Sequence, residues 1–140
     1  MERIQWGLIG GGKGSQIGPV HRIGAIIDGR YEFLAGAVDI DPHAAKSFGA
    51  ELGLDPGRCY ASWQEMLEKE ARKERRLDLV TIATPNSTHF DISKAFLEAG
   101  FNVLCEKPMT MNVTQAENLY LTAKKTDKIC AVNYGYSGFP

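Results

Sequence analysis

Short, nearly continuous apolar runs alternate along the chain with segments in which apolar residues recur every three or four positions. Apolar runs of this length, bounded by turn-forming residues, are typical of strands that are buried on both faces of a parallel sheet. The pattern predicts six short strands, at residues 4–9, 33–38, 59–60, 77–83, 102–105 and 129–134.

The segments between these runs predict helices with clear starting signals. Ile17 opens a helical pattern directly after a glycine cluster, and Asp41-Pro42 has the form of an N-cap followed by a first-turn proline. Ser62 with Glu65 three residues later matches a capping box. The alternation predicts an α/β fold, a doubly wound parallel sheet of about six strands with helices on both faces. The dinucleotide-binding, or Rossmann, strand order is the leading topology.

Composition excludes several classes of protein. The 140 residues are 44% hydrophobic and 24% charged, with 16 Lys and Arg against 17 Asp and Glu. The formal charge of −1 predicts no nucleic-acid partner and no anionic membrane surface. No apolar run approaches the ~20 residues that span a bilayer. Three cysteines without a CxxC pair predict no disulfide framework and no metal site. We therefore expect a reduced, cytoplasmic domain.

A glycine loop follows the first predicted strand and precedes the first predicted helix. Gly10 and Gly12 are placed for a tight turn and for close approach of a diphosphate to the backbone, and Gly14 is a further candidate cofactor contact. The third position of the usual G-x-G-x-x-G pattern is Ser15, so we interpret the loop as lengthened by about two residues, with Gly18 meeting the sheet.

An acidic residue ends the second predicted strand. Asp39 lies 21 residues after Gly18, where a carboxylate would bind the hydroxyls of an adenosine ribose. The same carboxylate would repel a 2′-phosphate, and Ile40 offers no positive charge, so NAD is favoured over NADP. Asp41 is a rival for the ribose, although Pro42 after it favours helix capping. The alternative is a flexible glycine-rich turn with Asp39 as a turn former.

Two further loops follow the predicted strands at 77–83 and 102–105. Thr84, Pro85 and Asn86 offer a fixed turn and hydrogen bonds to a ribose or diphosphate. His89 follows shortly after and could bind the cofactor, take a direct catalytic role, cap its helix or face solvent.

The second of these loops is Glu106-Lys107-Pro108. At that edge Lys107 would lie near a nicotinamide, where its charge could orient a substrate oxygen or lower the pKa of a neighbouring acid. Glu106 could hold the Lys107 ammonium or contact the nicotinamide ribose.

Taken in order, these motifs resemble the N-terminal domain of the Gfo/Idh/MocA oxidoreductases, which include glucose–fructose oxidoreductase and the inositol dehydrogenases. The resemblance covers nearly the whole chain, and Glu-Lys-Pro is its most specific mark. It is carried by the loop from Gly10 to His21 and by residues 37–42, 84–89, 106–108 and 131–134.

The resemblance implies roles for individual residues. Lys107 would assist catalysis beside the nicotinamide, and His21 would pack its helix near the diphosphate. The family's cofactor contacts correspond to Gly10, Gly12, Asp39, Thr84, Pro85, Asn86 and Glu106.

The resemblance also implies how the domain is used. Residues 1–140 are one dinucleotide-binding Rossmann domain, whereas family members continue into a second domain that forms the substrate pocket and is absent from this chain. We expect the cofactor-binding part of an NAD(P)-dependent oxidoreductase that transfers a hydride to or from a sugar, cyclitol or related polyol. We also expect a homo-oligomer, an exposed apolar surface and no activity from this chain alone. The alternative is a non-catalytic NAD sensor or scaffold; a methyltransferase would not account for the later loops.

Overall fold

Five strands alternate with five α-helices in the computed structural model, which describes residues 2–138. The strands are β1 (Ile4–Gly10), β2 (Tyr31–Ala37), β3 (Leu79–Ala83), β4 (Asn102–Glu106) and β5 (Cys130–Asn133). The helices are α1 (Ile17–Ile26), α2 (Pro42–Glu51), α3 (Trp63–Glu70), α4 (His89–Glu98) and α5 (Val113–Thr126). Three short 3₁₀ turns lie at Pro56–Arg58, Asn86–Thr88 and Gly135–Gly138.

All strand pairs are parallel, in the order β2-β1-β3-β4-β5. The order reverses between β1 and β3, where Gly10 pairs with Ala83 at the carboxyl ends of the two strands. Ligands of open α/β sheets bind outside the strand ends at such a switch point. The doubly wound fold predicted from the sequence is confirmed.

The strand expected at residues 59–60 is reduced to a single parallel bridge between Gly36 and Cys59, on the outer side of β2. The 3₁₀ turn at Pro56–Arg58 ends just before it, and Ser62 already caps α3. Only three residues remain between these two elements, which is too few for a paired strand.

Neighbouring residues of a strand point to opposite sides of the sheet, and here apolar side chains point to both. Helices therefore cover the sheet on both faces. On one face Ile9, Val80 and Val103 pack with buried residues of α3, α4 and α5. On the other face Trp6 and Leu8 pack with partly buried residues of α1 and α2. The sheet therefore has two separate hydrophobic cores.

The helix starts agree with the sequence signals. Asp41 caps α2 by accepting a hydrogen bond of 2.8 Å from the Ala44 amide. At α3 the Glu65 amide donates to Ser62 Oγ over 3.2 Å, and the Glu65 carboxylate accepts from the Ala61 amide over 2.8 Å. The expected assignment of Asp41 to capping is therefore confirmed.

The apolar stripe of α1 is largely outside the cores. Val20, Ile23 and Ile27 are 57%, 58% and 79% exposed, although their spacing is that of a buried helix face. Within residues 2–138, no helix combines the length and apolar character that crossing a membrane requires. The same part of the chain contains no cluster of three metal-ligating side chains.

Candidate functional site

The glycine loop turns directly after β1 in a conformation that favours glycine. Gly10, Gly11 and Gly14 have φ values of +75°, +68° and +86°, a region that side chains disfavour. A Cβ on Gly10 would lie 2.5 Å from the carbonyl oxygen of Ala83 at the end of β3. The predicted tight turn therefore depends on Gly10 and also on Gly11, which the sequence analysis did not single out.

The loop lies against the end of β2. A Cβ on Gly12 would lie 2.2 Å from the Val38 carbonyl oxygen and 3.0 Å from Asp39 Oδ2. Asp39 Oδ1 accepts a hydrogen bond of 3.0 Å from the Asp41 amide, so Oδ2 remains turned towards the loop. The predicted diphosphate loop and the predicted ribose carboxylate thus form one corner.

Gly18 was expected to meet the sheet, but it packs against the glycine loop. A Cβ on Gly18 would lie 2.0 Å from the Gly11 carbonyl oxygen, so both residues must be small where α1 begins. The Gln16 side chain makes no capping bond, and the first turn of α1 contains no acidic residue. The Gly18 amide donates to Ser15 Oγ over 3.1 Å, and Pro19 has no amide hydrogen. Within residues 2–138, the amides of Gln16 and Ile17 at the start of α1 have no partner and can receive an anion.

Arg22 binds the backbone of this loop, a contact that the sequence analysis did not predict. One guanidinium nitrogen donates to the Gly11 carbonyl oxygen over 2.8 Å, and the group lies 5.3 Å from the centroid of the Phe48 ring. Burial lowers the pKa of Arg22. Because the C=O and N–H of a trans peptide point in opposite directions, this bond turns the Gly12 amide away from Arg22.

Two clefts extend from the switch point. One, of about 660 Å³, is lined by the glycine loop together with Asp39, Ile40 and Trp63. The other, of about 520 Å³, is lined by the start of α1 together with Asn86 and Lys107. Both clefts include Ala83 and Thr84, so they form one extended crevice along the carboxyl edge of the sheet.

The hydrophobic walls of the first cleft were not predicted as site residues. Ile40 is 97% exposed beside Asp39, and Trp63 is partly buried at the start of α3. A pocket of this kind, apolar with a few polar groups, is typical of small-molecule sites. Ile40 follows Asp39 in the chain, whereas only the tertiary structure brings Trp63 to the site.

Thr84, Pro85 and Asn86 lie at the junction of the two clefts, as their place after β3 predicts. Thr88 Oγ1 donates to Pro85 O or Thr84 Oγ1, each 2.7 Å away, which fixes the turn. Asn86 is exposed, and its side-chain amide has no partner within residues 2–138. Its amide is thus available to a ligand.

Glu106 does not hold the Lys107 ammonium, contrary to one expectation. Glu106 Oε1 accepts from Asn133 Nδ2 and lies 2.8 Å from His21 Nε2, while Oε2 lies 3.3 Å from the Lys107 backbone nitrogen, which donates to it. Lys107 is exposed, its ammonium has no partner among the described residues, and the Lys107–Pro108 peptide bond is cis. The lysine charge is therefore free to act in the second cleft.

His89 is buried, with 1% exposure. Its Nδ1 lies 2.7 Å from the Pro108 carbonyl oxygen and its Nε2 2.8 Å from the Thr84 carbonyl oxygen. Direct binding of a cofactor by His89 stays a prediction, but both ring nitrogens already face backbone carbonyls. The contacts join the loop after β3 to the loop after β4.

Comparison with known proteins also indicates an NAD-binding Rossmann domain of an oxidoreductase family. Residues 4–134 match the Gfo/Idh/MocA family, described as "Oxidoreductase family, NAD-binding Rossmann fold". The uncharacterized oxidoreductase YfiI of Bacillus subtilis is 45% identical over 136 residues, which are 96% of this chain and 35% of that protein. The D-xylose 1-dehydrogenase (NADP(+)) of Hypocrea jecorina is 37% identical over 98 residues, 69% of this chain and 24% of that protein.

A solved structure shows the same architecture. The crystal structure of an inositol dehydrogenase homolog from Azotobacter vinelandii, complexed with NADH and myo-inositol, superposes with a TM-score of 0.95 at 44% identity. The match covers 98% of this chain and 36% of that one. The chain thus spans between a quarter and a little over a third of the length of these three proteins.

Proposed function

The chain belongs to the Gfo/Idh/MocA family of oxidoreductases, and from that membership we propose that it binds NAD as the cofactor domain of a dehydrogenase. The reaction is hydride transfer between the nicotinamide and a hydroxyl-bearing carbon of a sugar, cyclitol or related polyol. The observation that carries the proposal is the crevice that runs from the Gly12–Asp39 corner past Thr84 to Lys107.

The residues present fit a dinucleotide. Gly12 lets the loop lie against the Val38 carbonyl, where any Cβ would clash. The Gln16 and Ile17 amides follow at the start of α1, and a diphosphate suits this loop and these donors. Asp39 Oδ2 would accept hydrogen bonds from the hydroxyl groups of the adenosine ribose. Asn86 and Thr84 would bind the central part of the molecule, and Lys107 lies at the far end of the crevice.

The bound nicotinamide supplies the hydride chemistry, and the protein supplies binding, orientation and proton transfer. Lys107 would hold positive charge beside the substrate oxygen and favour loss of its hydroxyl proton as the hydride leaves the adjacent carbon. The rest of the substrate pocket, with the main acid or base, would come from a further domain, since this chain spans only 24% to 36% of the length of these relatives.

The Asp39 carboxylate favours NAD over NADP because a 2′-phosphate at this corner would meet a negative charge, with the uncharged Ile40 beside it. Among the relatives, one is named for NADP(+) and one was solved with NADH. Cofactor choice in this chain therefore rests on Asp39.

A homo-oligomer fits the apolar stripe of α1, and three cysteines without a disulfide fit a reducing compartment such as the cytoplasm. A non-catalytic NAD sensor remains the second candidate, favoured by nothing except the fold. A sensor has no need for an unpaired lysine at the nicotinamide end of the crevice.

Titration of the chain with NADH and NADPH, followed by fluorescence, tests the binding proposal. We expect NADH to bind more tightly, and no binding of either at millimolar concentration would overturn it. For the reaction, Lys107→Met in the complete gene product, assayed with NAD and either myo-inositol or D-xylose, should lower kcat. Lys125→Met on the exposed face of α5 is the control, and equal activity of the two variants would overturn the catalytic role of Lys107. Binding of NADH without turnover of either substrate by the unchanged protein would favour the sensor.

A further inference from the structure

The residues on either side of Lys107 are each contacted by a histidine whose side chain is largely buried, and the two histidines come from different helices. Glu106 is held by His21 of α1, and Pro108 is held by His89 of α4. Lys107 between them is exposed and has no side-chain partner within residues 2–138. This arrangement fixes the backbone of the segment and leaves only the lysine side chain free.

The contact on the α1 side is a buried polar cluster. The side chains of His21 and Glu106 are 8% and 9% exposed, and His21 Nε2 lies 2.8 Å from Glu106 Oε1. Asn133 of β5 donates to the same oxygen. Glu106 Oε2 accepts from the Lys107 amide, so the carboxylate joins α1 and β5 to the backbone of the lysine itself.

The contact on the α4 side reaches two loops at once. His89 lies within 2.8 Å of both the Thr84 and the Pro108 carbonyl oxygens and is 1% exposed. Pro108 has no amide hydrogen, so its carbonyl is the one backbone group of that residue that can be held by a hydrogen bond. A neutral imidazole carries one N–H and donates to one of the two carbonyls, and it donates to both only when both ring nitrogens are protonated. In either form the ring lies between the lysine loop and Thr84, where the two clefts meet.

We propose that His21 and His89 are positioning residues that direct the Lys107 ammonium towards the substrate end of the crevice. They act through Glu106 and Pro108 and touch neither cofactor nor substrate through their ring nitrogens. The inference rests on the proposed function, because it assigns Lys107 a task at the reacting carbon. Consecutive Cα atoms are ~3.8 Å apart, so anchoring both neighbours leaves the lysine Cα little freedom.

Turnover of the complete gene product with NAD and myo-inositol or D-xylose tests this proposal. His21→Leu and His89→Leu remove the hydrogen bonds, whereas His21→Gln and His89→Gln keep one donor. We expect each leucine variant to lower kcat by about tenfold to a hundredfold, the cost of misplacing a catalytic group by about 1 Å. Each glutamine variant should recover most of that loss. The third histidine, His43, is exposed on α2, so His43→Leu should leave kcat unchanged.

A double-mutant cycle with Lys107→Met separates positioning from a merely structural role. If the histidines act through Lys107, adding His21→Leu or His89→Leu to Lys107→Met lowers kcat no further. Equal fold-losses with and without Lys107 would overturn the proposal, as would leucine variants with the kcat of the unchanged protein. If the leucine variants fail to fold, His21→Asn and His89→Asn, whose shorter side chains withdraw the donor, complete the same cycle. Asn133→Ala, which removes the second donor to Glu106, joins them there.

Failure of this inference and failure of the proposed function give different results. If the unchanged protein does not bind NADH, the proposed function fails before any histidine is replaced. If it binds NADH but Lys107→Met keeps full turnover, the catalytic assignment of Lys107 fails and the positioning role fails with it. If Lys107→Met is impaired and the leucine variants are not, only the positioning role is overturned.

Discussion

Asp39 Oδ2 lies 3.0 Å from the point that a Cβ on Gly12 would occupy, although the two residues are 27 positions apart in the chain. The glycine loop and the acidic end of β2 therefore form a single corner. A diphosphate held by the loop and a ribose held by the carboxylate would be adjacent parts of one molecule. This closeness makes the dinucleotide proposal more specific than a glycine motif alone.

Gly12→Ala should abolish NADH binding and destabilise the chain. The new Cβ would lie 2.2 Å from the Val38 carbonyl oxygen, so either the loop or the end of β2 must move. NADH titration and urea unfolding measure the two effects. Gly24→Ala is the matched control, because its Cβ meets nothing within 4 Å and alanine favours a helix by about 1 kcal/mol. A Gly12→Ala chain that binds NADH normally would contradict the position given to the diphosphate.

Asp39→Ser should reverse the preference between the two nicotinamide cofactors. Removing the carboxylate removes its repulsion of a 2′-phosphate and its hydrogen bonds to the ribose, so NADH binding weakens while NADPH binding improves. Affinities for both cofactors, measured by fluorescence, give the ratio. Asp41→Asn controls for the loss of a nearby charge, since asparagine also caps helices. The same ratio in Asp39→Ser and the unchanged chain would show that another residue selects the cofactor.

The sequence was informative wherever a feature depends on neighbouring residues. Asp41 and Ser62 cap their helices through amides three residues away, and Gly10 turns directly after its strand. Parallel strands also bring their carboxyl ends to one edge by topology alone, which places Thr84 and Lys107 in one crevice.

Features that depend on distant packing could not be predicted. Glu106 was expected to hold the adjacent Lys107 ammonium or to contact the nicotinamide ribose. The folded chain gives its carboxylate a different partner, His21, 85 positions away. The contact of Arg22 with Gly11 and the walls formed by Ile40 and Trp63 likewise arise only when helices pack on the sheet. The strand expected at residues 59–60 is limited by the elements on either side of it.

Replacing Arg58 should be strongly destabilising although it lies outside the crevice. Glu70 is completely buried and is held by the Arg58 guanidinium and the Tyr60 hydroxyl. Arg58→Met leaves this carboxylate without its counter-charge, which costs about 3 kcal/mol in the free energy of unfolding. Arg72→Met, which removes an exposed partner of Glu68, should change it by less than about 0.5 kcal/mol. Equal urea midpoints for the two variants would show that the buried pair does not stabilise the fold.

The chain should lose stability in alkaline solution through a buried thiol. Burial raises the pKa of Cys105 from its ordinary value of 9.0 to about 11. Below pH 9 the thiol is neutral in both folded and unfolded chains, so its stabilisation is complete there. Between pH 9 and 11 the unfolded thiol ionises first, and the free energy of unfolding should fall by up to about 1.4 kcal/mol per pH unit.

Urea unfolding at several pH values measures this fall, and Cys105→Ala should reduce its slope. Burial also raises the pKa of Tyr60, so some alkaline loss remains in the variant. Parallel pH curves for the variant and the unchanged chain would assign the alkaline loss to other groups.

Arg22 should control cofactor affinity without contacting the cofactor. Its hydrogen bond to the Gly11 carbonyl sets the orientation of the next amide, on Gly12, within the loop proposed to bind the diphosphate. Arg22→Met removes a charged donor and should weaken NADH binding by roughly tenfold. Arg30→Met, which removes an exposed partner of Asp28, should leave the NADH affinity unchanged. Arg22 also packs on Phe48, so its replacement could weaken NADH binding by lowering the stability of the fold, and urea unfolding of both variants must accompany the titrations. A loss of NADH affinity in Arg22→Met at temperatures where the chain remains fully folded would trace the effect to the loop. Unchanged affinity would show that the glycine residues alone set the direction of the Gly12 amide.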